Sequence, residues 1–206
     1  MFLPCRLLVQ IRLGALKLKN KGDKLLKVIK LGELGYDFAA LGFSLSYSST
    51  IERAKQLLPK YAFGIPGERK FLQVIQLWLD VDFPRLIWPE ADQYKIATTT
   101  LSESTVHTLH KKFLDQNDFV VPIDQRMIDI VNEKIVLFRE KKINLVQMKS
   151  HLPEGFLQRR VWNMNYSTLQ NIVRQRTNHR VYLWDEFIDD ILSQIEHPEL
   201  VKQENI

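Results

Sequence analysis

Cysteine is almost missing from this 206-residue chain: Cys5 stands alone. One thiol closes no internal disulfide, and no Cys/His set with zinc spacing exists. A reducing, cytoplasmic setting is the expectation. Long apolar runs are missing too. No stretch approaches the roughly 20 apolar residues that a membrane span needs. The start, "MFLPCRLLVQIRLGALK", is broken by Arg6 and Arg12, so a secretory leader is not expected. There is no block of five Lys/Arg, although the formal charge is +5. That excess favours an anionic partner, and a dedicated nucleic-acid arm is not expected.

Several chemical signatures are also lacking. The chain has no G-x-G-x-x-G, no Walker A loop, no H-E-x-x-H and no C-x-x-C. "GFSLSY" lacks the second glycine of a nucleophile elbow. His107 and His110 share the i, i+3 spacing of a helix face, but no carboxylate or cysteine stands close enough to complete a site. No metal is expected.

What is present is a globular composition, 45% apolar and 26% charged. The length suits one domain over 1–206, large enough for a core without staples. Residues 6–13 alternate loosely and suggest an extra N-terminal strand within 1–14. "KLKNKGDK" is a turn-rich basic loop, and "LLKVIKLGEL" reads as a strand. "GYDFAALGFSLSYSS" is an apolar segment running into serines. "STIERAKQLL" starts a helix, with Ser49 and Glu52 as a capping box and Pro59 as the stop. In "IQLWLDVDF", Ile75, Leu77, Leu79, Val81 and Phe83 alternate with Gln76, Trp78, Asp80 and Asp82, which is a half-buried strand.

Further on, Met127, Ile128, Val131, Ile135 and Phe138 have helical spacing over about Gln125 to Lys141. Leu152-Pro153 opens a strand-like run into a helix with Ser167 and Gln170 as a second capping box. A last helix, about Leu183 to Ile195, buries Trp184, Phe187, Ile188, Ile191 and Leu192. Residues 197–206 read as a frayed tail. The fold class is α+β.

Some polar groups have two readings. Asp80 and Asp82 share a strand face, as an acid/base pair or as solvated surface. Trp78 on that face suggests an interface. Arg174 and Arg176 end a helix, where its dipole favours cations, or they hold a ligand. "TTTLSEST" is a polar turn or a hydroxyl-rich phosphate cradle. Tyr94 and Trp88 stack on a ring ligand or pack inside.

From Lys149 the chain reads Lys149-Ser-His-Leu152-Pro153, then Asn165-Tyr-Ser167-Thr-Leu169-Gln-Asn171-Ile-Val-Arg174-Gln-Arg176. This resembles the flavin-dependent thymidylate synthases, whose pattern is "R-x-x-L-P … N-x-R-S-L-x-x-F-L-x-L-R". Upstream, "LGYDFAALGFSLSYSS" is similar to their "A-R-V-S-Y" region, and Gly67-Glu68-Arg69 stands at their Gly-His-Glu. Their signature "R-H-R-x-x-S-x-N-E-x-S-x-R-Y" is mostly gone: Gln93, Tyr94 and Lys95 replace R-H-R, and Ser104 matches the second serine. Ser167 replaces another arginine. The likeness spans about residues 15–195.

The resemblance implies the family fold, a small mixed sheet with long helices, and a homotetramer with sites shared between subunits. It implies FAD, a dUMP-like pyrimidine deoxynucleotide and a folate one-carbon donor, in a methyl-transferring reaction at pyrimidine C5. By residue, it implies Arg176 and Ser104 as catalytic groups. Lys149, Arg176 and Ser104 would hold substrate. Asn165, Asn171, His179 and Lys95 would hold cofactor, although Asn165 also reads as a helix cap. Arginine clamps supply both charge and orientation, and lysine keeps only the charge. Losing one clamp costs roughly 10²–10³ in rate, so the altered R-H-R weighs against ordinary thymidylate synthesis. The alternative is a catalytically inactive nucleotide binder, of a kind related to phage genomes.

Overall fold

The computed structural model describes residues 25–203. The expected strand at 6–13 and the basic loop at 17–24 lie outside them. In chain order the elements are β1 (Lys27–Leu34), α1 (Tyr36–Ser46), α2 (Ile51–Tyr61), a 3₁₀ segment (Glu68–Gln73), β2 (Gln76–Pro84) and α3 (Trp88–Ala91). Then come β3 (Thr98–Ser102), α4 (Thr105–Thr108), α5 (Gln125–Arg139), α6 (Leu145–Lys149), β4 (Leu157–Asn165), α7 (Tyr166–Arg176) and α8 (Leu183–Leu192). The sheet runs β1-β2-β4-β3, and each pairing is antiparallel.

Period two in β2 decides which side is inside. Leu77, Leu79, Val81 and Phe83 are fully buried and face α7 and α8. β4 adds Trp162 and Met164, the helices add Leu169, Ile172, Trp184 and Phe187, and Phe83 is the hub. Its ring lies 5.0–6.4 Å from Trp88, Trp162, Trp184 and Phe187. Such pairs add about 0.5–1.5 kcal/mol each beyond the area they bury. A second apolar cluster, with Leu109, Phe119, Ile128, Val131, Ile135, Met148 and Phe156, lies under α5 and α6. Met127, expected on that inner face, is exposed.

The other face of β2 carries Gln76, Trp78, Asp80 and Asp82. On it Asp80 is 4% exposed and bound by Arg159: Nε donates to Oδ1 at 2.6 Å and Nη2 to Oδ2 at 2.5 Å. It is therefore neither solvated nor one half of a free acid/base pair. Trp78, expected to be exposed, is half-buried.

Several boundaries differ from the sequence reading. Thr50, one residue after Ser49, caps α2 by accepting from the Arg53 N–H. Pro59 does not stop that helix. Its missing N–H costs one bond, and the ladder resumes when Ala62 N–H reaches Leu58 C=O at 2.8 Å. The Ser167/Gln170 box does not form, because α7 starts two residues earlier, capped by Asn165, whose Oδ1 accepts from Thr168 N–H at 2.9 Å. Gln170 is buried and bonded elsewhere.

The "TTTLSEST" stretch is neither turn nor cradle at its start. Thr98–Ser102 is the edge strand β3 against β4. The tail is packed where it is described: Leu200 and Val201 are buried, and His197 stacks on Tyr36 at 3.6 Å.

Two local devices fix the β1 end. Gly35 joins β1 to α1 at φ +112, and a Cβ there would sit 2.5 Å from Val74 C=O, so only glycine fits. On the outer edge of β1, the Gln194 side chain donates to Val28 C=O and accepts from Lys30 N–H, both at 2.9 Å.

Candidate functional site

α7 follows β4 without a loop, because Asn165 is extended and its side chain caps the next turn. Leu169, Ile172 and Val173 anchor the helix in the core. Its polar residues are left along a groove that also takes in α3 and the start of β3.

At the last turn, Arg176 is enclosed, with its side chain 12% exposed. Nε donates to Tyr94 Oη at 2.9 Å, and Nη1 donates to Glu90 Oε2 at 2.7 Å. The guanidinium stands 5.0 Å from the Trp184 ring centre and 5.7 Å from that of Tyr94. The same Glu90 oxygen accepts from Trp184 Nε1 at 2.9 Å, and Tyr94 Oη donates to Gln175 Oε1 at 3.0 Å. His179 Nε2 lies 3.0 Å from Arg176 Nη1, and its Nδ1 lies 3.2 Å from Val181 N–H. A neutral imidazole has one acceptor nitrogen, so Arg176 and the Val181 N–H compete for it.

Along another side of α7, from Ser167 to Arg174, the arrangement is open. A cavity of about 210 Å³ is lined by Arg69, Ile96, Ser167, Thr168, Gln170, Asn171 and Arg174. Arg69 Nη1 donates to Gln170 Oε1 at 3.2 Å. Gln170 is held in turn, because Nε2 donates to Ala62 C=O and Leu200 C=O at 2.8 and 3.0 Å. Arg174 Nη2 donates to Asn171 Oδ1 at 3.0 Å. Neither arginine has a carboxylate partner among the described residues. Two cations with a hydroxyl and an amide make a donor set for a phosphate or another oxyanion.

A second cavity, about 200 Å³, holds Asp92, Tyr94, Lys95, Thr98, Thr100 and Trp162. Beside it Arg160 spans Trp88 at 4.1 Å and bonds Asp92 at 2.9 Å. Trp88 itself is core, its Nε1 donating to Gln158 C=O.

The predicted residues are thus partly gathered. Arg176 and His179 touch, Asn171 lies on α7 before them and lines the open cavity, and Lys95 lines the smaller cavity with Tyr94. Asn165 spends its side-chain oxygen on the cap, and Ser104 is the exposed residue before α4. Lys149 ends α6 beside the second apolar cluster. Ser104 and Lys149 line neither of these two cavities. The convergence expected of Lys149 and Arg176 does not occur within one chain, because the two sit on different clusters. Glu90 and Arg69 were not singled out as site residues. No local signal marked Glu90, whose partner Arg176 is remote in sequence. No group of three or more His, Cys, Asp or Glu that could hold a metal occurs among the described residues. No helix among them is long and apolar enough to cross a membrane.

No protein-family model and no curated protein matches the chain. Solved structures do share its fold. Thymidylate synthase X (ThyX) from Helicobacter pylori, solved with FAD and dUMP, matches with a TM-score of 0.71 at 16% identity over 86% of this chain and 97% of that one. A second structure of the H. pylori flavin-dependent enzyme with FAD and dUMP gives 0.72 at 16% identity, over 85% and 98%. The fold is therefore that of the flavin-dependent thymidylate synthases, with α+β layers and a small sheet.

Proposed function

We propose that the chain binds a pyrimidine deoxynucleotide of the dUMP type, with FAD beside it, in a site completed by further copies of the chain. The observation that carries this is the open cavity on α7. Arg69, Ser167, Asn171 and Arg174 form an anion-binding donor set on a fold shared with proteins solved with FAD and dUMP. The donors fit the phosphate end of a nucleotide or dinucleotide. FAD, when bound, supplies hydride chemistry that no side chain can. This chain's own residues bind and orient: Arg69 and Arg174 hold negative charge, Asn171 fixes Arg174, and Arg176, His179 and Lys95 border the neighbouring surface. Lys149 and Ser104 reach a ligand only across a subunit boundary, as the homotetramer implied by the resemblance allows.

In the enzymatic form of this reading, a folate-borne one-carbon unit is transferred to C5 of the pyrimidine. Binding without turnover is favoured by two observations. Gln93-Tyr94-Lys95 replace R-H-R, and a carboxylate already neutralises Arg176. The first test is the absorbance of purified protein with added FAD, followed by calorimetric titration with dUMP. Absence of both signals removes the proposal. Complementation of a thymidine-requiring strain separates the two forms: rescue identifies the enzyme, and failure with intact dUMP binding identifies the binder.

A further inference from the structure

We infer that Glu90 is a built-in counter-anion that withholds Arg176 from anionic ligands and from negative charge developing on a bound ring. The argument starts from donor accounting. Of the five N–H groups of the guanidinium, Nε–H goes to Tyr94 Oη and one Nη1–H to Glu90 Oε2, and Nη1 also touches His179. The Nη2 pair has no partner among the described residues. The positive charge is thus spent on Glu90, while two donors stay free. A pair of this kind presents hydrogen bonds without net charge. It suits a neutral carbonyl acceptor, such as a base edge, and repels a phosphate through the Glu90 oxygens.

Several contacts fix the carboxylate in that place. Trp184 Nε1 donates to the same oxygen, and the guanidinium is held between the rings of Trp184 and Tyr94. Glu90 stands on a short helix braced by Trp88, which is buried. An arginine serving only as a helix-end cation needs none of this enclosure, since the dipole acts on exposed side chains as well. The contrast with Arg69 and Arg174 is internal to the molecule. Those two cations face a cavity without a carboxylate partner, so the fold keeps them available and keeps Arg176 occupied. The ligand identity used here rests on the nucleotide reading above; the masking of Arg176 does not.

The experiment uses Glu90→Gln, which keeps the shape and leaves an oxygen to accept from Trp184 and Arg176. Phenylglyoxal, a guanidine reagent, is applied to the whole protein, and modification of Arg176 is followed by peptide mass spectrometry. The expected result is slow labelling of Arg176 in the native chain and a rise of roughly tenfold in the variant, since an unpaired guanidinium is both freer and more open to attack. Equal labelling in the two proteins overturns the inference. In parallel, both proteins are titrated with dUMP. A gain of roughly tenfold in Glu90→Gln, abolished in Glu90→Gln/Arg176→Gln, supports it, because damage to packing does not improve affinity. Measurable dUMP binding that is unchanged by Glu90→Gln overturns the masking and leaves the nucleotide reading intact. Faster labelling with no dUMP binding by either protein supports the masking and sinks the nucleotide reading.

Discussion

On one side of α7, Arg174 and, from the 3₁₀ segment, Arg69 face a cavity with amide partners only; on another side, Arg176 is shut in with Glu90, Tyr94 and Trp184. On α7 itself the two states are two residues apart, at Arg174 and Arg176 of its last turn. The difference lies in what each neighbouring segment contributes. The middle of α7 supplies Gln170 and Asn171, which orient a guanidinium without cancelling its charge. α3 supplies Glu90, which cancels it. A count of arginines on a helix therefore says little about anion binding until the carboxylates of other elements have been placed.

The sharpest way to break the comparison is to remove the open pair. Arg69→Ala/Arg174→Ala should weaken dUMP binding roughly 10²–10⁴-fold, at about 1.5–3 kcal/mol for each charged hydrogen bond. Calorimetry checks it, and unchanged affinity would show that the open cavity is not the nucleotide site.

Next is Gln170→Leu. It strands Ala62 C=O and Leu200 C=O and frees Arg69. We expect a loss of about 2–3 kcal/mol in urea denaturation, because buried acceptors left unsatisfied carry the full desolvation cost.

Arg176→Lys should be milder, a loss of about 1–2 kcal/mol. It loses the planar contact with two rings and the Tyr94 bond but keeps the charge beside Glu90. Its dUMP affinity should barely move, since that charge is already spent; a large drop would place Arg176 among the open cations. Asn165→Ala should lower stability by about 1 kcal/mol through the lost cap, read as a fall in melting temperature.

The smallest effect is in pH, where spent and unspent charge also meet on β2. Hydrogen bonding from Arg159 lowers the pKa of Asp80 below the ordinary carboxylate value. That contribution is present above the unfolded pKa and is lost as pH falls through the folded one. Asp82 is shifted upward by burial, with Glu103 adding to the rise. The native state then holds the Asp82 proton more tightly than the unfolded chain does. Its contribution is most favourable below about pH 4 and declines as pH rises through the folded value. Asp82→Asn should remove that decline. Melting curves of both proteins between pH 3 and 7 should therefore diverge above about pH 4, with the variant the more stable; parallel curves would show that Asp82 is solvated.

The strands β1, β2 and β4 and the helices α5, α7 and α8 were legible in the sequence because one-sided burial imprints a period on them. β3 was not, since an edge strand of threonines has little to bury. α1 was not either: Phe43 is inside while Phe38 and Leu45 are exposed, so its apolar residues mark no single face. Caps slipped by one or two residues where several hydroxyl and amide side chains were adjacent, as at Ser49-Thr50 and at Asn165 to Ser167. Of the site, Arg176, His179, Asn171 and Lys95 came from the motif; Arg176 and His179 touch, while Asn171 and Lys95 line separate cavities. Ser104 and Lys149 stay apart from them. Glu90 was invisible because its partner lies 86 residues away, and no local pattern encodes that distance.

The amide of Gln194 has a meaning for the sheet as a whole. By donating to Val28 and accepting from Lys30, it occupies the positions a neighbouring backbone would use. A foreign strand arriving at β1 finds those two groups taken, and must dislodge α8 to pair there. At the opposite border, β3 is only five residues long and mostly threonine and serine, a short and polar template. Among the described residues the four-stranded sheet is thus guarded on one flank by a side chain that imitates the main chain and on the other by brevity.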